Sequence, residues 1–113
     1  MKTNKYHNKK VTHFGIEFQS QAEGKRFLIL KALQDSGLIT GLQLQVAFEL
    51  APAVTIQGRK HPPLKYIADF TYFREEEMII EDVKGMSKVP QLYALKLHLM
   101  MSVLGLEINE VRL

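Results

Sequence analysis

Charged side chains occur in two segments that otherwise have the composition of buried strands. Asp69 lies in the middle of an apolar and aromatic run, and a second apolar run ends in Glu81, Asp82 and Lys84. Because side chains alternate in direction along a strand, Asp82 and Lys84 face the same side of it. An unpaired charge buried in a protein interior has a free-energy cost of several kcal/mol. These residues therefore form either a structural ion pair or a functional site.

A third carboxylate belongs to the start of the first predicted helix. Ser20 followed three residues later by Glu23 has the form of a capping box, which predicts a helix N-terminus at this point. Helical spacing places Glu23 on one stripe with Phe27 and Leu30, so we expect its carboxylate to face the sheet. The alternative is that Glu23 only caps the helix.

Hydrophobic patterning predicts the elements that must position these carboxylates. The period changes along the chain between about 3.6 and 2 residues, which distinguishes helices from strands. We expect a hairpin over 11–18, a helix from Gln21 to Asp35, strands over 42–50, 65–73 and 78–84, a surface loop over 57–63, a helix from Pro90 to Leu104 and a strand over 106–113. This order predicts an α/β fold with a mixed sheet.

Length and composition exclude several classes of protein. The 113 residues, 46% hydrophobic and 24% charged, are those of a single globular domain. The absence of cysteine excludes thiolate zinc sites, iron–sulfur clusters and cysteine nucleophiles, and the four histidines show no metal-ligand spacing. The longest uncharged run, Ser36–Phe48, is too short to cross a bilayer, and the N-terminus has no apolar leader. We therefore expect a soluble, intracellular protein.

Positive charge is concentrated near the N-terminus. The net charge is only +3, yet residues 1–16 contain four lysines and no acidic residue. We expect residues 1–10 to form a flexible basic arm that contacts a polyanion, and residues 11–113 to form one domain. The alternative is that the arm is no more than a solvated terminus. The acidic run 75–77 would repel DNA, so a DNA-binding face should lie elsewhere.

Together, a glutamate on the first helix, an aspartate on a strand and an Asp-X-Lys sequence ending the next strand resemble the PD-(D/E)XK nuclease superfamily. More narrowly, the chain resembles an uncharacterised family of small phage and prophage proteins placed in that superfamily. The segments that carry this likeness are 5–10, 15–18, 20–23, 66–70 and 81–85. Ala68 stands where the motif has proline, a departure that removes no metal ligand. The resemblance implies a restriction-endonuclease-like αβββαβ core with a mixed central sheet flanked by helices and preceded by a short hairpin.

The resemblance also implies a catalytic site for hydrolysis of DNA phosphodiesters. Asp69 and Asp82 would hold Mg²⁺ or Mn²⁺, for which oxygen ligands are suited, with the carbonyl of Val83 as a further ligand. Glu23 would bind a second ion or orient the attacking water. Lys84 would either help to deprotonate that water or stabilise the developing negative charge, and the sequence does not choose between these roles.

Further residues are expected near the substrate. Gln45 could assist the metal site, although a solvated or structural role is the alternative. Tyr93 and Lys96, one turn apart on the second helix, could contact the phosphate, although a solvated helix face is the alternative. The arm residues that would contact DNA are Lys5, Lys9 and Lys10.

The leading hypothesis is a metal-dependent DNA endonuclease acting in the cytoplasm of a bacterial host, without a membrane partner. A domain this small has little room for a separate recognition module, so cutting directed by DNA structure would fit, for example by a homodimer at a Holliday junction. The first alternative is a non-catalytic, nucleic-acid-binding phage accessory protein that retains the fold. The second is a structural protein whose charges only form ion pairs.

Overall fold

A strand-rich mixed α/β arrangement is seen in the computed structural model, which describes residues 9–84 and 90–112. The two longest strands are neighbours in the sheet, one at its edge and one inside it, and the longest helix follows an N-terminal hairpin. In chain order the elements are β1 (Val11–His13), β2 (Ile16–Phe18), α1 (Gln21–Asp35), β3 (Thr40–Ala51), β4 (Val54–Ile56), β5 (Arg59–His61), β6 (Leu64–Arg74), β7 (Glu77–Val83), α2 (Pro90–Leu99), a π-helical segment (Met100–Leu104) and β8 (Asn109–Val111).

The central sheet has the strand order β3-β6-β7-β8. The first three strands pair antiparallel, whereas β8 runs parallel to β7, because the chain crosses back through α2 between them. The α/β class, the mixed sheet and the order hairpin, helix, strands, helix, strand are therefore confirmed. Among the described helices, none is long and apolar enough to span a membrane.

Two apolar clusters hold the helices to this sheet. One packs α1 against the sheet, and the other packs α2 and the π-helical segment. Ala68 belongs to the second cluster and Phe70 to the first, so β6 passes from one to the other around Asp69. The buried members are Phe18, Phe27, Leu30, Ile39, Phe70, Tyr72 and Val83 in the first cluster, and Leu50, Tyr66, Ala68, Ile80, Met100 and Ile108 in the second.

The start of α1 is fixed by a cap and by a close contact. The hydroxyl of Ser20 accepts a hydrogen bond from the backbone N–H of Glu23 at 3.2 Å, as the capping pattern predicts. A Cβ on Gly24 would lie 2.5 Å from Cγ2 of Val11 and 3.0 Å from the ring of His13, so only glycine lets the β1–β2 hairpin approach the helix this closely. The first turn of α1, which carries Glu23, is thereby held in place.

The expectation of a surface loop over 57–63 was wrong. The chain instead forms a small hairpin in which β4 pairs antiparallel with β5. Gln57 and Gly58 both have positive φ, 49° and 77°, as a two-residue hairpin turn requires. All six residues of the two strands are exposed, and each strand has three residues, too few for an alternating pattern to be recognised in the sequence. The last strand is also shorter than the predicted 106–113.

The turn between β6 and β7 stores conformational strain. Glu75 and Glu76 have φ of 49° and 68°, values that glycine and asparagine adopt more readily than glutamate. We expect the double variant Glu75→Asn/Glu76→Gly to raise the free energy of unfolding by about 1–2 kcal/mol in urea denaturation. The control Glu75→Gln/Glu76→Gln removes the same charges without relieving the backbone. Equal stabilities of the two variants would show that the turn is not strained.

Candidate active site

Three carboxylates from three different elements converge beside the middle of the sheet. Phe70 of β6 pairs with Glu81 of β7, which puts Asp69 and Asp82 next to each other on neighbouring strands. Glu23 approaches them from the first turn of α1 and is half-buried. Its burial, followed by the negative charges of Asp69 and Asp82, raises the pKa of Glu23 to about 7.

Asp69 is hydrogen-bonded on both of its carboxylate oxygens. Its Oδ2 accepts from the backbone N–H of Val83 at 2.7 Å, and its Oδ1 accepts a longer bond of 3.4 Å from Nε2 of Gln45. Burial raises the pKa of Asp69 and the charge of Asp82 adds to the effect, whereas the N–H of Val83 opposes it. Gln45 has φ of 53°, so the backbone of β3 is locally distorted where its side chain meets Asp69. The sequence gives no sign of this distortion.

Asp82 and Lys84 lie side by side, as the alternation of the strand predicts. Oδ1 of Asp82 is 3.5 Å from Nζ of Lys84, and the two side chains are only 15% and 11% exposed. Oδ2 of Asp82 accepts a 2.7 Å hydrogen bond from the hydroxyl of Tyr66, whose pKa is raised by burial and by this bond. Nζ of Lys84 also lies over the ring of Tyr93. An ammonium between a carboxylate and an aromatic face is a fixed positive charge in the site.

Tyr93 and Lys96 of α2 face β6 across a cleft of about 250 Å³, which Lys65 and Tyr66 also line. The hydroxyl of Tyr93 is buried and, among the described residues, has no hydrogen-bond partner. Burial raises its pKa, with smaller contributions from the negative charges of Asp82 and Glu110. This pair therefore lines a cleft next to the carboxylates and is not the fully solvated helix face of the alternative interpretation.

Only part of the expected basic arm can be placed. Lys5 lies outside the described residues. Lys9 and Lys10 are exposed, and Nζ of Lys10 is 3.6 Å from Oε1 of Glu17 on the neighbouring strand. An exposed pair of this kind contributes little to stability and is readily exchanged for another anion.

Sequence analysis missed a buried ion pair directly behind the site. Glu81 is 2% exposed, and its carboxylate accepts from Nε of Arg26 at 2.8 Å, from Nη2 of Arg26 at 2.6 Å and from the hydroxyl of Tyr72. These bonds raise the pKa of Arg26, and burial together with Glu81 raises that of Tyr72 to about 12. The alternation of β7 predicts that Glu81 faces away from Asp82, but no sequence pattern reveals its partner.

This ion pair also positions the candidate site. Arg26 is one helical turn after Glu23, and Glu81 immediately precedes Asp82 in the chain. A bidentate bond between Arg26 and Glu81 therefore fixes the distance between the two elements that carry Glu23 and Asp82. The carboxylates differ in how they are paired. Among the described residues, Glu81 forms an ion pair with an arginine and Asp82 forms one with a lysine, whereas Asp69 and Glu23 form none.

The donor set suits a hard divalent cation. Glu23, Asp69, Asp82 and the backbone carbonyl of Val83 offer only oxygen, the ligand that Mg²⁺ and Mn²⁺ prefer. Across residues 9–84 and 90–112, no three carboxylates or imidazoles are already arranged as metal ligands. Oδ2 of Asp69 and Oδ2 of Asp82 each accept a hydrogen bond, and the charges of the two aspartates contribute to the raised pKa of Glu23. The chemistry of the donor set therefore suits the metal.

Access to the carboxylates is available from the side of the β1–β2 hairpin. A cleft of about 270 Å³ lies between this hairpin, α1 and β3, and Glu17, Glu23 and Gln45 line it. A larger cavity, about 520 Å³, lies near the β6–β7 turn and contains none of the candidate residues.

The buried ion pair should dominate the stability of the α1–β7 contact. We expect Arg26→Met to lower the free energy of unfolding by about 3–5 kcal/mol, because it leaves Glu81 buried without a partner. The double variant Arg26→Met/Glu81→Met should recover at least half of that loss. The control Lys31→Met, which breaks the exposed ion pair with Asp35 on the same helix, should change the free energy by less than about 0.5 kcal/mol. Equal losses for Arg26→Met and Lys31→Met in urea denaturation would contradict this account.

The raised pKa of Glu23 predicts that Glu23→Gln increases the free energy of unfolding by an amount that depends on pH. A carboxyl whose pKa is higher in the folded than in the unfolded state destabilises the fold progressively as pH rises from about 4.5 to about 7, and fully above that. Because the side chain is half-exposed, solvent screens part of the effect. We expect Glu23→Gln to raise the free energy of unfolding by about 1–2 kcal/mol at pH 8 in EDTA and to leave it almost unchanged at pH 4.5. The control is Glu49→Gln, at an exposed position on β3. The same effect at both pH values would show that folding does not raise the pKa of Glu23.

Comparison with known proteins identifies the family of this chain but assigns no activity to that family. No curated protein and no solved structure matches the chain. A family model with the description "Protein of unknown function (DUF1064)" matches residues 3–104. This range includes Glu23, Asp69, Asp82 and Lys84, and it extends through both helices. Because the match covers most of the sequence, the chain belongs to the DUF1064 family.

Proposed function

We propose that this protein is a metal-dependent DNA endonuclease whose active site consists of Glu23, Asp69, Asp82 and Lys84. One observation carries the proposal: carboxylates from α1, β6 and β7 lie near one another, with Nζ of Lys84 3.5 Å from Asp82, and burial followed by the charges of Asp69 and Asp82 raises the pKa of Glu23 to about 7. A purely structural site would be expected to neutralise such charges, as Arg26 does for Glu81. Perturbed carboxylates in a cleft are typical of catalytic sites.

The fold supports the same proposal. A helix, three antiparallel strands, a second helix and a strand parallel to the third agree with the restriction-endonuclease-like core expected from the resemblance. In this arrangement Asp69 and the Asp82-Val83-Lys84 segment come from adjacent central strands. A phage or prophage protein of the PD-(D/E)XK superfamily would have its motif in these places.

Each residue then has a distinct task. Asp69, Asp82 and Glu23 would hold Mg²⁺ or Mn²⁺, which neutralises charge on the phosphoryl group and makes water more acidic. Lys84 points its ammonium at the carboxylate of Asp82, where it can stabilise the negative charge that develops on the phosphate oxygens. This geometry favours charge stabilisation over proton abstraction for Lys84. Tyr66 orients Asp82 through its hydroxyl, and Gln45 orients Asp69.

The alternative function is a non-catalytic nucleic-acid-binding accessory protein with the same fold. It would explain the basic residues, but it gives no reason for three crowded carboxylates next to the surface that binds a polyanion. The proposal includes branched DNA as a substrate and a homodimer as the acting species, since two symmetric cuts at a junction require two sites. The panel of substrates in the experiment below tests this extension.

Cleavage of labelled linear, flapped and four-way-junction DNA tests the proposal. We expect cutting in Mg²⁺ or Mn²⁺ that EDTA abolishes and that Asp82→Asn reduces at least about a hundredfold, because one metal-binding carboxylate is lost. Asparagine keeps an oxygen for the hydroxyl of Tyr66, so the fold should be preserved. The matched control Asp35→Asn, at an exposed position on α1, should cut like the wild type.

Two results would contradict the proposal. Asp82→Asn protein that cuts as fast as the wild type in Mg²⁺ would remove the assigned site. Wild-type protein that binds DNA but cuts none of the substrates would favour the non-catalytic accessory protein.

A further inference from the structure

The β4–β5 hairpin carries positive charge on both of its faces. Its register pairs Ile56 with Arg59 and Thr55 with Lys60, and all of these residues are exposed. Because consecutive residues of a strand point to opposite faces, the guanidinium of Arg59 and the ammonium of Lys60 project in opposite directions. A two-stranded ribbon of this kind is narrow enough to enter a DNA major groove, which is about 12 Å wide.

The hairpin lies at the basic end of the pair formed by the two longest strands, β3 and β6. Residues 50–68 include Arg59, Lys60 and Lys65 but no acidic residue. The opposite end of β6 leads into the exposed acidic turn 75–77. A polyanion is therefore attracted to the end of the sheet where β6 begins and is repelled from the end where it finishes.

Two further lysines lie between the hairpin and the candidate active site, and the register places Glu49 opposite the first of them, Lys65. Lys65 lines the same cleft as Lys96 and Tyr66, and the hydroxyl of Tyr66 bonds to Asp82. Lys65 and Asp69 are four residues apart on β6, about 13 Å along the strand. That distance corresponds to about four base pairs of duplex DNA.

We propose that the β4–β5 hairpin is a nucleic-acid-binding arm, in which Arg59 and Lys60 contact the backbone phosphates of duplex DNA on one side of the active site. The position of that duplex rests on the proposed function, because it is defined relative to the active site. The hairpin adds a binding surface to that function. Arginine and lysine bind phosphate oxygens through charge-assisted hydrogen bonds. The arm therefore contributes affinity and orientation without reading the base sequence.

A second copy of the chain is a weaker candidate for the occupant of this surface. The hairpin also exposes Val54 and Ile56, which could pack against another apolar face. In a two-fold symmetric dimer, however, contact through this face would bring Arg59, which the register places beside Ile56, close to its own copy. Such like-charge contact opposes association unless an anion lies between the two copies.

The salt dependence of DNA binding tests whether the β4–β5 hairpin contacts DNA. Wild-type protein in EDTA, which prevents cutting, is titrated onto a fluorescent 30-base-pair duplex between 50 and 200 mM salt. We expect Arg59→Gln/Lys60→Gln to flatten the slope of log K against log salt by about 1.8, because two phosphate contacts are lost, and to weaken binding about tenfold at the lowest salt concentration. The charge reversal Arg59→Glu/Lys60→Glu should weaken binding further. The matched control Lys31→Gln/Arg74→Gln removes the same charge away from the arm and should change the slope by less than half as much.

The possible outcomes distinguish the proposal that the β4–β5 hairpin binds DNA from the proposal that the protein is a nuclease. The hairpin proposal would be contradicted if Arg59→Gln/Lys60→Gln kept the wild-type salt dependence. It would also be contradicted if the control variant lost as much of the slope. Absence of any DNA binding by the wild type, or a concentration-dependent dimer that only the hairpin variants abolish, would overturn it as well. If the slope changes as expected although the protein cuts no DNA, the hairpin proposal is supported and the nuclease proposal is not. The proposed function stands if the protein cuts DNA although the hairpin variants bind normally.

Discussion

Negative charge buried at the junction of α1, β6 and β7 is the constraint on which the structure depends. Glu81 is inaccessible to solvent, and the fold neutralises it with a bidentate bond from Arg26 and a hydroxyl from Tyr72. On the same segment of β7, the contacts of Asp82 within the described residues are an ion pair with the lysine two residues away and a hydrogen bond from a tyrosine hydroxyl. One ion pair thus secures the framework while the adjacent carboxylates keep uncompensated charge, an arrangement that favours binding of a cation.

This division of roles links the folding of the chain to the chemistry that we propose. The capped first turn of α1 carries Glu23, and one turn later Arg26 attaches the helix to β7. Any shift of the helix along the sheet would break the bidentate bond, whose two distances are both under 3 Å. The position of Glu23 relative to Asp82 is therefore set by contacts that take no direct part in hydrolysis.

The elements were predictable because their hydrophobic periods are strong, whereas the contacts between them were not. The alternation of β7 predicts that Asp82 and Lys84 share a side, and the Ser20–Glu23 spacing predicts the start of α1. The partner of Glu81 depends on how α1 lies on the sheet, which no local pattern encodes. The β4–β5 hairpin escaped prediction because its strands are short and exposed on both faces, and the distortion at Gln45 because glutamine rarely adopts positive φ.

The central claim is that Glu23, Asp69 and Asp82 form a divalent-cation site, and a calorimetric titration with Mn²⁺ tests it most directly. The account predicts saturable Mn²⁺ binding by the wild type that is weakened at least about tenfold in Asp82→Asn, while Asp35→Asn binds like the wild type. Binding should release protons near pH 7, because the pKa of Glu23 is about 7 before the cation arrives. Absence of Mn²⁺ binding by the wild type, or equal binding by Asp82→Asn, would contradict the claim.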